Sequence, residues 1–262
     1  MADLIIVPIG LLAGVLAGYL GVGGGFVYLP LLFFFLNGRY PAEIAPKICV
    51  GTSMGAVVLT GISGTLSHYR QKNVCSSVWW KISIGAVLGS FFGGFIVSMV
   101  SGDALRIAIG ITLLLSALQM LTQKPPKNEC SLENEKAPYW LIPIGIAVGL
   151  VAGTVGIGGG ILAVPIFSGV LLMKPNRIAG TSSALTIALS ASGLIGYFFW
   201  GKAVSGAGTV GFVDIKFMLL LGIPAAIGAY FGAGLHKKVP PKIFKYVFAI
   251  LLIFVALKIV FF

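Results

Sequence analysis

A cluster of glycines occurs twice in this chain, each time inside the same apolar frame. The first copy is Gly21-Val22-Gly23-Gly24-Gly25, followed by Pro30. The second is Gly156-Ile157-Gly158-Gly159-Gly160, followed by Pro165. Each comes after a Pro-Ile-Gly opening, at Pro8 and at Pro143, and the offset stays at 135 residues from Pro8/Pro143 through Pro30/Pro165. A hydrophobic chain that is duplicated internally and broken at matching places carries the sequence mark of a membrane transporter.

The duplication continues past the glycines. Gly51-Thr52-Ser53 matches Gly180-Thr181-Ser182 once the offset shortens by six residues, and Gly64 then matches Gly193. Further on, Gly89-Ser90-Phe91-Phe92-Gly93 matches Gly228-Ala229-Tyr230-Phe231-Gly232, and Arg106 falls opposite Lys245. Each half therefore repeats as a whole: residues 1–122, a polar linker over 123–138, and residues 139–262.

Composition decides the surroundings. The chain is 58% hydrophobic and 10% charged, against about 25% charged in a soluble domain. Most of its surface must face lipid or other apolar helices, which predicts an all-α integral membrane protein. Each half holds five apolar segments, near 4–20, 22–37, 44–68, 79–100 and 104–122, then 139–155, 157–173, 178–200, 212–235 and 243–261. The last three of each half can cross a hydrocarbon core, which takes ~20 helical residues. The first two are short and meet at the glycine cluster, either as short crossings or as the arms of a re-entrant hairpin. The total is about eight to ten membrane helices.

Basic residues choose the topology. If each glycine hairpin enters and leaves on one side, the halves are inverted. One side then collects Arg70, Lys72, Lys81, Lys124, Lys127, Lys136, Lys174, Arg177, Lys237, Lys238, Lys242 and Lys245. The other collects Arg39, Lys47, Arg106, Lys202, Lys216 and Lys258. Parallel halves would divide the basic residues evenly, so the positive-inside rule favours inverted repeats. Both termini are then outside and the linker is cytoplasmic. The net charge of +11 reflects these loops and does not point to nucleic acid.

Candidate site residues follow from the repeats. Gly21, Gly23, Gly24 and Gly25, with Gly156, Gly158, Gly159 and Gly160, leave backbone N–H groups unguarded at the start of a helix, where the dipole favours an anion. Tight turn packing is the competing explanation for one copy. The hydroxyls of Thr52, Ser53, Thr181 and Ser182 can serve a substrate, or bond back to a helix or across to a neighbour. The four-residue spacing of Gly10, Gly14 and Gly18, of Gly145, Gly149 and Gly153, and of Gly85, Gly89 and Gly93 predicts close helix packing. His68, near a segment end, is expected in a solvated or interfacial position. Leucine at Gly24 or Gly159 is expected to abolish transport while the protein still folds.

No carboxylate lies mid-segment, nothing forms a catalytic triad, and the three cysteines have no metal-ligand spacing. No enzymatic activity, metal or cofactor is expected. The partners are a small anion and the bilayer, with a homo-oligomer left open.

The duplicated Gly-x-Gly-Gly-Gly with Pro five residues later, joined to the Gly-Thr-Ser of the third segment, resembles the TauE/SafE family of membrane permeases over essentially the whole chain. The resemblance implies a secondary transporter in the cell membrane that moves sulfite or an organosulfonate, often outward. It also implies a site at the two glycine turns, near the midplane, working by alternating access. Three other readings remain: a passive anion channel, a sodium- or proton-coupled importer, and an intramembrane structural or signalling partner that transports nothing. The repeats differ at His68 against Tyr197, which predicts an asymmetric pocket.

Overall fold

A computed structural model describes residues 5–36, 38–122, 137–201 and 208–235, with 250, 253, 254, 256 and 257 near the end of the chain. The first half supplies α1 (Ile6–Leu20), α2 (Gly25–Leu36), α3 (Ala45–Arg70), α4 (Ser76–Met99) and α5 (Gly102–Thr122). The second supplies α6 (Leu141–Val155), α7 (Gly160–Pro165) running into a π-turn over Ile166–Val170, α8 (Pro175–Trp200) and α9 (Ile215–Leu235). The expected segment 243–261 and almost all of the linker lie outside the described residues.

Local chemistry sets the ends of these helices. α1 and α6 each stop at a left-handed glycine, Gly21 (φ 67°) and Gly156 (φ 77°), whose N–H returns to the Ala17 or Ala152 carbonyl. That conformation is steeply unfavourable for residues with a Cβ and routine for glycine. α3 and α8 each carry proline in the first turn, Pro46 and Pro175, where the missing N–H costs nothing. At 15 and 12 residues, α1 and α2 reach only ~22 and ~18 Å, short of a ~30 Å core.

Among the described residues, α3, α4, α8 and α9 are long and apolar enough to cross a membrane. Their outward faces carry large apolar side chains in the open, including Phe92, Phe199, Ile227 and Phe231. A surface of this kind is unstable in water and stable in lipid, so the protein is membrane-embedded.

The halves interlock instead of standing side by side. The two broadest interfaces are α4 with α6 and α1 with α9, followed by α3 with α9 and α4 with α8, and then α3 with α8. Exchanging the halves (α1 for α6, α3 for α8, α4 for α9) returns the same set of pairs.

The four-spaced glycines make these interfaces, as their spacing predicts. A Cβ at Gly14 or Gly18 of α1 would collide with the Ala225 or Ala229 carbonyl of α9. A Cβ at Gly145 or Gly149 of α6 would likewise strike the Ile82 or Ala86 carbonyl of α4. Backbone-to-backbone approach is how helices associate where lipid removes the hydrophobic drive.

Two departures have physical reasons. The half-to-half offset changes where connections differ in length: the link from α2 to α3 is longer than the link from the π-turn to α8, and among the described residues the second half alone inserts a short hairpin, Thr209–Val210 with Val213–Asp214, before α9. His68 is fully buried, with Nε2 3.1 Å from the Gly18 carbonyl of α1, which corrects the solvated placement. α3 is 26 residues long and still packs on α1 at its last turn. Tyr197, the counterpart of His68, donates to the equivalent Gly153 carbonyl at 2.5 Å. The unequal pair thus does one structural job, away from the glycine turns.

Candidate functional site

The two glycine clusters meet. A Cβ on Gly25 would stand 2.6 Å from the Ile157 carbonyl carbon, and one on Gly160 would stand 2.6 Å from Val22 Cα. Both turns are buried throughout. Each is held by a long helix of the opposite half: Gly21 lies against the Ala179 backbone of α8, and Gly156 against Val50 of α3. Val57 of α3 and Thr186 of α8 occupy equivalent positions, and each faces both Gly23 and Gly158.

The serines complete this crossed support. Ser53 Oγ donates to the Gly156 carbonyl at 3.0 Å, and Ser182 Oγ donates to the Gly21 carbonyl at 2.6 Å. In each case a hydroxyl of one half satisfies the carbonyl left over at the helix end of the other. The threonines go elsewhere. Thr52 Oγ1 accepts from the Asp214 N–H at 2.9 Å and Thr181 Oγ1 from the Cys75 N–H at 3.0 Å, at the residues that lead into α9 and α4. Of the two uses foreseen for these four hydroxyls, the geometry displays the structural one: the serines grip the turns and the threonines hold the following helices.

This arrangement predicts a measurable asymmetry. Removing either serine hydroxyl leaves a buried carbonyl without its donor, which costs about 1 kcal/mol. Ser182→Ala, which loses the shorter bond, is expected to lower the melting midpoint in detergent by more than Ser53→Ala does. Equal midpoints for parent and both variants would show that the crossed bonds contribute nothing.

The turns present donors. Gly23 and Gly24 (φ 81° and 87°) and Gly158 and Gly159 (φ 78° and 70°) lie outside the helices. Among the described residues their four N–H groups find no acceptor. Buried amides are almost always paired, and successive amides exposed on a positive-φ turn form a concavity suited to an anion. α7, at 6 residues, is too short to add much of a helix dipole on its side.

Two further polar groups share this region, and repeat-based reasoning missed both because each occurs in one half only. Tyr28 is fully buried with its hydroxyl unpaired, 2.5 Å from where a Gly24 Cβ would stand. Ser190 is fully buried with Oγ unpaired, 3.4 Å from the Cβ position of Gly158. Thr60 also differs from its counterpart, Leu189, and donates to the Gly23 carbonyl at 2.8 Å. The expected asymmetry is therefore present at the turns, carried by Tyr28, Thr60 and Ser190 and not by His68. Among the described residues no cluster of metal-ligating side chains occurs.

Comparison with known proteins agrees in kind. Residues 6–259 match the family model described as Sulfite exporter TauE/SafE. The chain is 30% identical to the probable membrane transporter protein YdhB of Bacillus subtilis, covering 92% of this chain and 94% of that one. It is 26% identical to YunE of the same organism, also named a probable membrane transporter protein, over 100% of this chain and 98% of that one. A probable membrane transporter protein of Methanocaldococcus jannaschii is 27% identical over 91% of this chain and 88% of its own length. No solved structure matches.

Proposed function

Because the chain belongs to the TauE/SafE sulfite exporter family, and is a membrane transporter on that ground, we propose that it exports a small sulfur-containing oxyanion such as sulfite or an organosulfonate across the cell membrane. The carrying observation is the meeting of two buried glycine turns whose Gly23, Gly24, Gly158 and Gly159 amides have no acceptor among the described residues. The anion sits there, near the midplane, held by N–H groups. Ser53 and Ser182 keep the turns in place, and Gly21, Gly25, Gly156 and Gly160 let the backbones approach.

Alternating access follows from an inverted arrangement of the halves. The reciprocal pairing of α1 with α9 and α6 with α4 supports a two-fold relation between them. An odd number of crossings per half places that axis in the membrane plane. The linker is then cytoplasmic and both termini are outside. Rocking of one half against the other would open the glycine turns to each side in turn. An inside-negative potential drives export of an anion by about 2.3 kcal/mol per charge per 100 mV.

The test is flux of sulfite, thiosulfate and a simple sulfonate in proteoliposomes, with chloride and acetate as controls. Saturable flux of a sulfur oxyanion is expected. Non-saturating flux proportional to voltage would establish a channel instead, and uptake that needs sodium or a proton gradient would establish a coupled importer.

A further inference from the structure

We propose that the Tyr28 and Ser190 hydroxyls are the side-chain ligands of the transported oxyanion, and that a site built only of neutral donors selects a singly charged one. This rests on the transport reading above.

Both side chains are fully buried, and among the described residues neither hydroxyl has a partner. An unsatisfied buried hydroxyl is destabilising, so its persistence asks for a reason. The fold does not supply one. The position of Tyr28 is filled in the other half by Ala163, and that of Ser190 by Gly61, so the same architecture is built once with each hydroxyl and once without it. Thr60, close to Tyr28, gives its one hydroxyl proton to the Gly23 carbonyl and its own helix, so it has none to give the phenol, whose oxygen lies 2.5 Å from the Gly24 Cβ position. The two orphans lie beside the two triplets whose amides are also unpaired, Tyr28 at Gly24 and Ser190 at Gly158. Val57 and Thr186 touch both triplets and bring the groups into one region. Among the described residues these make six buried donors without acceptors, a set that suits an acceptor-rich guest.

The charge of that guest follows from what surrounds it. Among the described residues, the side chains nearest the Cβ positions of the triplets are those of alanine, valine, leucine, threonine, tyrosine and serine, none of them charged. The two lysines buried among the described residues are committed elsewhere, Lys47 to the Ser98 carbonyl and Lys81 to the Ala137 carbonyl. The cost of removing an ion from water rises with the square of its charge, whereas attraction to neutral donors rises only linearly. Without a cation in the shell, a dianion is penalised far more than a monoanion.

The experiment compares Tyr28→Phe and Ser190→Ala with the parent in proteoliposomes, using methanesulfonate as the monoanion and sulfate as the dianion, alongside melting in detergent. Both variants are expected to melt at or above the parent midpoint, since each removes an orphan hydroxyl. Both should raise the KM for methanesulfonate about tenfold or more, and sulfate should be a poor substrate throughout. Unchanged KM in both variants, with saturable parental flux, would overturn the ligand assignment and leave the transport reading standing. Lowered midpoints with unchanged KM would mark the hydroxyls as structural and overturn it equally. Sulfate carried as well as methanesulfonate would overturn the charge selection. Absence of any oxyanion flux in the parent would overturn the transport reading and this assignment together.

Discussion

Alanine at Gly25 or Gly160 is expected to abolish transport and to lower the melting midpoint in detergent by several degrees. The added methyl would stand 2.6 Å from the Ile157 carbonyl carbon in one case and 2.6 Å from Val22 Cα in the other. Both obstacles are backbone, so no rotamer change relieves the contact. The turns must separate, and overpacking of this kind costs ~1–3 kcal/mol. Function suffers more than stability because, in the proposed site, the four open amides serve one anion only while the turns touch, and misplacing hydrogen-bond donors by about 1 Å is enough to lose the binding geometry. Gly234→Ala is the control. It has open space around its Cβ position within α9, and alanine is the better helix former by about 1 kcal/mol. If Gly160→Ala transported with parental KM and melted with the parent, the close meeting of the turns would be refuted.

The second large effect belongs to the interface between halves. Gly14→Ile in α1 or Gly149→Ile in α6 is expected to prevent assembly of a monodisperse protein, with transport lost. At each position even a Cβ runs into a carbonyl of the facing helix, Ala225 of α9 or Ala86 of α4. A branched side chain forces the axes apart along the whole contact, and the cost exceeds the ~1–3 kcal/mol of an ordinary overpacked site. Leu12→Ala, on the lipid-facing side of α1 at 66% exposed, should behave as the parent. A normal elution profile and melt for Gly14→Ile would mean that α1 and α9 do not pack through these glycines.

The same geometry refines what a leucine at the triplets would do. At Gly24 the backbone is at φ 87° and a Cβ would already press on the Tyr28 ring and Ala17. Such a substitution strains the fold as well as the site, so a loss of transport there does not by itself locate the substrate. At Gly159 the obstacle is the flexible end of Leu189, although φ of 70° still disfavours a side chain. Removing a hydroxyl from Tyr28 or Ser190 separates binding from folding more cleanly.

Much of this molecule is legible in its sequence because the decisive signals are local or repeated. Apolar length marks α3, α4, α8 and α9 as membrane helices, the left-handed glycines end α1 and α6, and four-residue glycine spacing marks the packing faces. Duplication pairs Ser53 with Ser182 and Thr52 with Thr181 before any coordinates are known. Partners are another matter. Which helix a glycine face meets depends on contacts between residues far apart in the chain, as with Gly14 and Ala225. The destination of a hydroxyl depends on the register of helices from opposite halves. For that reason the serines, read equally as substrate ligands or as bonds between helices, are found bonded to glycine carbonyls, and His68 is found buried. Tyr28 and Ser190 carry no periodic or repeated signal, so only the tertiary structure places them beside the turns. The sequence by itself determined a duplicated, membrane-embedded helical transporter with glycine turns, because these follow from hydrophobicity and backbone freedom. The tertiary structure alone decided that the two turns meet and which unpaired donors surround them, because long-range packing sets where those groups lie.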